Sequence, residues 1–290
     1  MKTRLKSRLP ASRPPASRLP AATIRELNEK FRLRSHLRNL ARETQTYARL
    51  WKSRKNVGRK NRFVLYAASR SGGTMLLDLL RSHPQIAVED YGWDAELMAF
   101  RWIFPYRYAE ARAALADKTT YGFKLKPEEL TEIQRIAPPV FLANLHRRGW
   151  KIVHLQRHNV LRQAISMEAA VQSEVWHDND FYTARRDKPM ILNPENLLRR
   201  LADFSSQSAK EASDLAGLRH LSLVYETDLL PPDAHSDTAN KIFDFLGLPP
   251  HDVQTHFRRT GTDNISDSVA NWSEIEAALR ASRFAHFLES

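Results

Sequence analysis

The sequence predicts an α/β fold: a P-loop-like central parallel sheet flanked by helices, preceded by a basic helical arm. Three observations carry that expectation. From residue 63 onward, short apolar runs alternate with longer runs of helical period, the pattern of strands joined by crossover helices. The first of those runs breaks into Ser69-Arg70-Ser71-Gly72-Gly73-Thr74 and resumes as an apolar helix, which is how an anion-binding loop is built. The positive charge is confined to one end: residues 1–60 hold 18 Lys and Arg against three acids, and the other 230 residues hold 27 against 30.

The arm divides in two. Residues 1–20 are rich in Arg, Ser, Pro and Ala without apolar period, so a disordered basic tail is expected. Residues 21–60 carry Leu27, Phe31, Leu33, Leu37, Leu40, Tyr47, Leu50 and Trp51 at loose three- and four-residue spacing, a basic helical segment. The body is expected over 61–290. Its strands are read at Phe63–Ala68, Ile86–Val88, Tyr121–Leu125, Lys151–Gln156 and His220–Tyr225. Its helices are read at Thr74–His83, within 94–117, at Val140–Arg148, Val160–Gln172, from Pro194 to about Ala216, at 237–246 and at Ser273–Leu288. Residues 177–193 are polar and read as loop.

Composition sets limits. A chain of 290 residues accommodates one α/β domain with an appendage. With no cysteine there are no disulfides, thiolate metal sites or cysteine nucleophiles, which suits a reducing compartment. No apolar run reaches about 18 residues, so no membrane-spanning helix is expected. The basic start lacks an apolar segment behind it, so no secretory signal is expected. A cytoplasmic location follows as the expectation, with the arm able to lie against an anionic membrane or another polyanion. The 11 His are scattered without ligand spacing, so no metal is expected.

The chemistry concentrates in residues 63–84. Two glycines let the backbone turn tightly and bring N–H groups close to an anion. The helix that follows adds its N-terminal dipole. Arg70, Ser71 and Thr74 supply charge and hydroxyl donors. The loop has neither the spacing nor the lysine of a G-x-x-x-x-G-K-[ST] motif, which disfavours an ordinary ATPase or GTPase.

A second strand–turn–helix unit follows at residues 151–170. Arg157 sits at the carboxyl end of its strand, where ligands collect in parallel sheets, and a guanidinium suits a phosphate through its paired donors. Glu89 and Asp90 end the second strand, and Lys124 lies near the end of the third, in YGFKLK.

On these residues the chain resembles the sulfotransferases that use 3′-phosphoadenosine 5′-phosphosulfate (PAPS), and among them the bacterial nodulation-type, carbohydrate and tyrosylprotein members that carry Arg in the loop. The resemblance spans roughly residues 61–288. It implies that Arg70, Ser71, Gly72, Gly73 and Thr74 hold the 5′-phosphosulfate, and that Arg157 and Ser166 clasp the 3′-phosphate. The Arg157–Ser166 interval is one residue longer than the family's usual one. The resemblance also implies a catalytic carboxylate near Glu89, with Asp90 the neighbouring candidate, and a role for Lys124 at the leaving phosphate or the acceptor. Near the C-terminus, HFRRTGTDNISDSVANW resembles the family's closing pattern, which implies that Arg259 or Arg258 reaches the nucleotide. Trp272 either packs beside that nucleotide or starts a helix as a core aromatic. The YETDLL segment resembles a structural element of the family.

The implied activity is transfer of the sulfuryl group of PAPS to a hydroxyl or amine of a saccharide, lipid or small molecule. Two other readings stand beside it: a P-loop nucleotide kinase or hydrolase with an irregular loop, and a nucleic-acid or anionic-membrane binding protein acting through its arm.

Overall fold

The computed structural model describes residues 40–52, 60–89, 102–173, 189–255 and 264–288. Helix α1 covers residues 40–52. The remaining elements run β1 (Asn61–Ala67), α2 (Gly73–Arg81), β2 (Ile86–Glu89), α3 (Pro105–Leu115), β3 (Thr120–Leu125), α4 (Pro138–Arg147), β4 (Lys151–Gln156), α5 (Val160–Ser173), α6 (Pro194–Asp214), β5 (His220–Val224), α7 (His235–Leu246) and α8 (Trp272–Arg280).

The five strands form one sheet in the order β2-β3-β1-β4-β5, with every pairing parallel. The α/β class and the flanking helices are thus as the alternating pattern predicted. β1 is central because it is the most apolar strand: Phe63 to Ala67 are fully buried. Alternate residues of a strand point to opposite faces, and the two faces are covered differently. Val64, Tyr66, Tyr121, Phe123 and Ile152 pack with Tyr108 and Ala109 of α3 and Phe141, Leu142 and Leu145 of α4. Phe63, Leu65, Ala67, Val153 and Leu155 pack with Leu76, Leu77, Leu79 and Leu80 of α2 and Ile242, Phe243 and Leu246 of α7. Gly122 makes this second layer possible at β3, because a Cβ there would stand 2.1 Å from the Phe63 ring.

A third apolar cluster joins α5, α6 and α8 through Leu161, Ala164, Leu197, Leu201, Ile275 and Leu279, with Trp272 packed against it. Trp272, the first residue of α8, is partly buried in that packing. The final helix is shorter than the sequence reading. It ends at Arg280, because Ser282 Oγ donates to the Leu279 carbonyl and accepts from the Phe284 N–H, a side chain competing with the helical ladder. Glu129–Gln134 and Tyr225–Leu229 form π-helical turns, so the last strand stops at Val224, one residue short of its expected end.

α1 is docked on the body. Its Glu43, 2% exposed, accepts the Ile103 and Phe104 N–H groups at 3.1 Å each. Those donors precede α3, where helix N–H groups have no intrahelical partner. Tyr47 donates to the same carboxylate at 3.4 Å. Burial, then the Glu43 charge, pushes the Tyr47 phenol up to about 12.

Candidate functional site

The segment after β1 turns sharply twice. Arg70 and Gly72 take left-handed backbone angles, φ 63° and 93°. For Arg70 that conformation is costly, and its surroundings hold it: its carbonyl accepts from Arg157 Nη1 at 2.9 Å. At Gly72 no other residue fits, since a Cβ would lie 2.6 Å from Tyr225 Cδ2 in addition to the φ constraint. Ser71 is buried and closes the turn by donating from Oγ to the Ala68 carbonyl at 2.7 Å. Gly72 leads straight into α2, whose start carries no side-chain cap and no acid in its first turn. Its first N–H groups and its dipole are accordingly left for an external anion.

The second motif arrives at the same place. Arg70 Nε and Nη2 donate to Ser166 Oγ at 3.0 and 2.8 Å, so the longer interval after Arg157 still brings Ser166 to the loop. Helix α5 supplies Ser166 on the face that also carries Gln163, whose amide donates to the Ser69 carbonyl at 2.7 Å. Arg157 stacks over the Tyr225 ring with its guanidinium carbon 4.5 Å from the centroid, and its Nε lies 3.8 Å from Glu226 Oε1. Glu226 also accepts the His158 and Asn159 N–H groups at 3.0 Å each, fixing the turn that leads into α5. From β3, Lys124 reaches across under Gly73 and donates to Thr74 Oγ1 at 2.9 Å, with only 6% of the residue exposed. The structure thus brings Arg70, Ser71, Gly72, Gly73, Thr74, Lys124, Arg157 and Ser166 to one end of the sheet.

Glu89 is not among them. Register places it beside Phe123 on β3, on the α3 side of the sheet, whereas Lys124 is on the α2 side. Arg112 of α3 donates from Nε and Nη2 to the Glu89 carboxylate. Burial works against the Arg112 charge, but the hydrogen bonds and charge of Glu89 outweigh it and raise the guanidinium pKa. The expectation places Glu89 as a base beside the loop; in this arrangement both its oxygens accept from Arg112. Asp90, Arg258 and Arg259 lie outside the described residues.

Several contributors escaped the sequence reading. Glu128, just past β3, accepts the Ser69 N–H at 3.0 Å through Oε1, while its Oε2 is buried without a partner among the described residues. Beneath the loop, Tyr66 donates to Asp214 at 2.6 Å and His154 Nε2 meets Glu211 at 2.9 Å. Burial raises the Glu211 carboxyl against the opposing pull of His154. Burial, then the Asp214 hydrogen bond, raises the Tyr66 phenol. The acidic pair after KLKP and the YE at the end of β5 were the available signals, but neither announces a partner so far away in sequence.

No family model matches the sequence, and no curated protein matches it. Among solved structures, one similar to it is a sulfotransferase from Alicyclobacillus acidocaldarius, 15% identical, with a TM-score of 0.44 and coverage of 78% of this chain and 96% of the other. Another is mouse sulfotransferase SULT7A1 complexed with PAP, 14% identical, with a TM-score of 0.40 and coverage of 67% of this chain and 61% of the other. No helix among the described residues is long and apolar enough to cross a membrane. The chain is an α/β protein built on a five-stranded parallel sheet, and both of these similar solved structures are sulfotransferases.

Proposed function

We propose that this chain transfers the sulfuryl group of PAPS to a hydroxyl or amine of a small-molecule, saccharide or lipid acceptor. One observation carries the reading: two guanidiniums, Arg70 and Arg157, drawn from motifs 87 residues apart, are tied into the same uncapped loop–helix junction. That donor set fits a nucleotide with phosphate groups at two places. The loop 70–74 with the start of α2 would take the 5′-phosphosulfate, and Arg157 with Ser166 the 3′-phosphate. Arg258 or Arg259 remains the proposed further contact to the nucleotide.

PAPS supplies a sulfur whose bond to the 5′-phosphate oxygen breaks as the acceptor oxygen or nitrogen bonds to it. The protein's part is placement and charge. Arg70, released from Ser166, is positioned for the negative charge that grows on the bridging oxygen. Lys124, buried against Thr74, holds a second cation at the same junction. Both act in a site walled by Tyr225 and Leu229, where a lower dielectric strengthens each interaction. The acceptor must also lose a proton. With Glu89 committed to Arg112, Asp90 is the remaining member of the expected acidic pair.

The test is thermal unfolding of the purified chain with 3′-phosphoadenosine 5′-phosphate (PAP), ATP or AMP. PAP at about a hundred times its dissociation constant adds roughly 2.7 kcal/mol to folding, a shift of a few degrees. A shift with PAP and none with AMP supports the reading. Equal shifts with ATP and PAP point to a kinase or hydrolase instead, and no shift with any nucleotide rejects the site.

A further inference from the structure

Between α1 and α3 lies an open cleft of about 230 Å³ lined by Arg42, Gln45, Thr46, Arg49, Tyr108 and Arg112. The four α1 residues fall at i, i+3, i+4 and i+7, a single helix face. Arg42 and Arg49 stand two turns apart, roughly 10 Å along the axis. Among the described residues, neither has a carboxylate partner. Arg112 closes the opposite wall and is held in one orientation by Glu89, which takes its Nε and one Nη. Among the described residues, three guanidiniums therefore share one cleft with a single carboxylate, that of Glu89. Like charges gathered this way repel, and an anion entering the cleft offsets that repulsion.

The cleft is also built to stay. Glu43 ties α1 to the amino end of α3 through two backbone hydrogen bonds, and Thr46 is 5% exposed. Its location ties it to the chemistry. Glu89 is the last residue of β2, and β2 lies two strands from β1, which is roughly 10 Å at the usual strand spacing. The loop follows β1 on the α2 face of the same carboxyl edge, so an acceptor lying across that edge would span both places.

The geometry points to this cleft as a subsite for an anionic group, a phosphate or sulfate, carried by the acceptor. Arg42 and Arg49 bind the group, and Glu89 is a positioning residue that aims Arg112 at it. The inference rests on the sulfotransferase reading for the word acceptor, and on the cleft alone for the anion. It also gives two of the arm's many cations a definite task.

The experiment uses the full chain with PAP present, so that the loop is filled. Inorganic phosphate and glucose 6-phosphate are titrated against sodium chloride of matched ionic strength, with melting temperature as the readout. Wild type is expected to show a saturable rise beyond the salt control. In the Arg42→Gln/Arg49→Gln variant the midpoint of that rise moves up about tenfold or more, while the response to PAP is retained. An identical phosphate response in both proteins, or none in wild type, overturns the subsite. Tighter binding of glucose 6-phosphate than of phosphate supports an acceptor-borne group, and equal binding overturns that part. If PAP itself gives no shift, the sulfotransferase reading fails, and the phosphate comparison between the two proteins still decides the cleft.

Discussion

The carboxyl edge of the sheet has two halves with opposite arrangements of charge. At β1, β3 and β4, the basic side chains meet hydroxyls, a carbonyl and a ring: Arg70 a serine hydroxyl, Lys124 a threonine hydroxyl, Arg157 a carbonyl and an aromatic face, with the Glu226 carboxylate at the longer distance of 3.8 Å from its Nε. At β2, the guanidinium of Arg112 is matched by the carboxylate of Glu89. A cation resting on neutral partners gives them up to an anion at small cost, whereas a cation forked onto a carboxylate keeps its place. Under the proposed function the first half rearranges to receive the nucleotide, and the second keeps Arg112 in one orientation.

The largest expected effect tests the first half through its backbone. Gly72→Ala combines a left-handed conformation, costing about 1–2 kcal/mol for a residue with a Cβ, with an approach of 2.6 Å to the Tyr225 ring, an overpacking of about 1–3 kcal/mol. Urea unfolding should show a loss of roughly 2–5 kcal/mol. Tyr225→Ala in the same chain relieves only the overpacking part. A neutral Gly72→Ala would mean that the turn is not held as described.

Next comes the ligand itself. Arg70→Ala should weaken PAP binding about a hundredfold by calorimetry. Its melting temperature should change less than its PAP affinity, because the Ser166 hydroxyl is an uncharged partner for the guanidinium. Arg112→Ala, on the other half, should leave PAP affinity within about twofold. Equal losses for the two variants would erase the distinction between the halves.

A smaller effect is expected at Glu89. Glu89→Gln should lower stability by about 1–2 kcal/mol, since the pair is only partly exposed to solvent (33% for Arg112 and 20% for Glu89), and it should spare PAP binding. A large fall in turnover at unchanged melting temperature would return Glu89 to the role of base.

The smallest effect concerns pH. His83, in the turn joining α2 to β2, is 1% exposed and meets the Pro249 carbonyl through Nε2 and the Gln85 N–H through Nδ1. Burial lowers its pKa below the ordinary 6.5. The unfolded chain therefore binds a proton more readily than the folded one, so this contribution is fully present above pH 6.5 and is lost as pH falls below it. Melting temperatures from about pH 7.5 to 5 should decline less steeply in His83→Gln than in wild type. Parallel declines would assign the pH dependence elsewhere.

Most of the first half was legible in the sequence, and little of the second was. β4 and the start of α5 are legible to the residue, because an apolar run ending in Gln-Arg and a new helical period leave few alternatives. The loop is legible because Gly-Gly after a buried strand has few other uses. Ser166 reaches the site despite an unusual interval, since its helix face is fixed by period. By contrast, the role expected of Glu89 came from the resemblance, whereas the face it points to depends on register against β3. That register is a property of the packed sheet. Glu128 and Glu226 were missed for a related reason. A carboxylate that accepts a backbone N–H 59 or 67 residues away leaves no periodic trace. The shortened last helix turns on a single serine whose competing hydrogen bonds outweigh local propensity.

The strand order has a consequence for how the protein forms. β1 is flanked by β3 and β4, which begin 59 and 90 residues after it, and the loop's main supports come from α5 and the turn after β5. None of these pairings is local, so closing them requires most of the chain to be in place. The proposed anion site is therefore expected to complete late in folding. A nucleotide that binds the junction as proposed should then slow unfolding far more than it speeds folding, and the native lifetime would lengthen with nucleotide concentration.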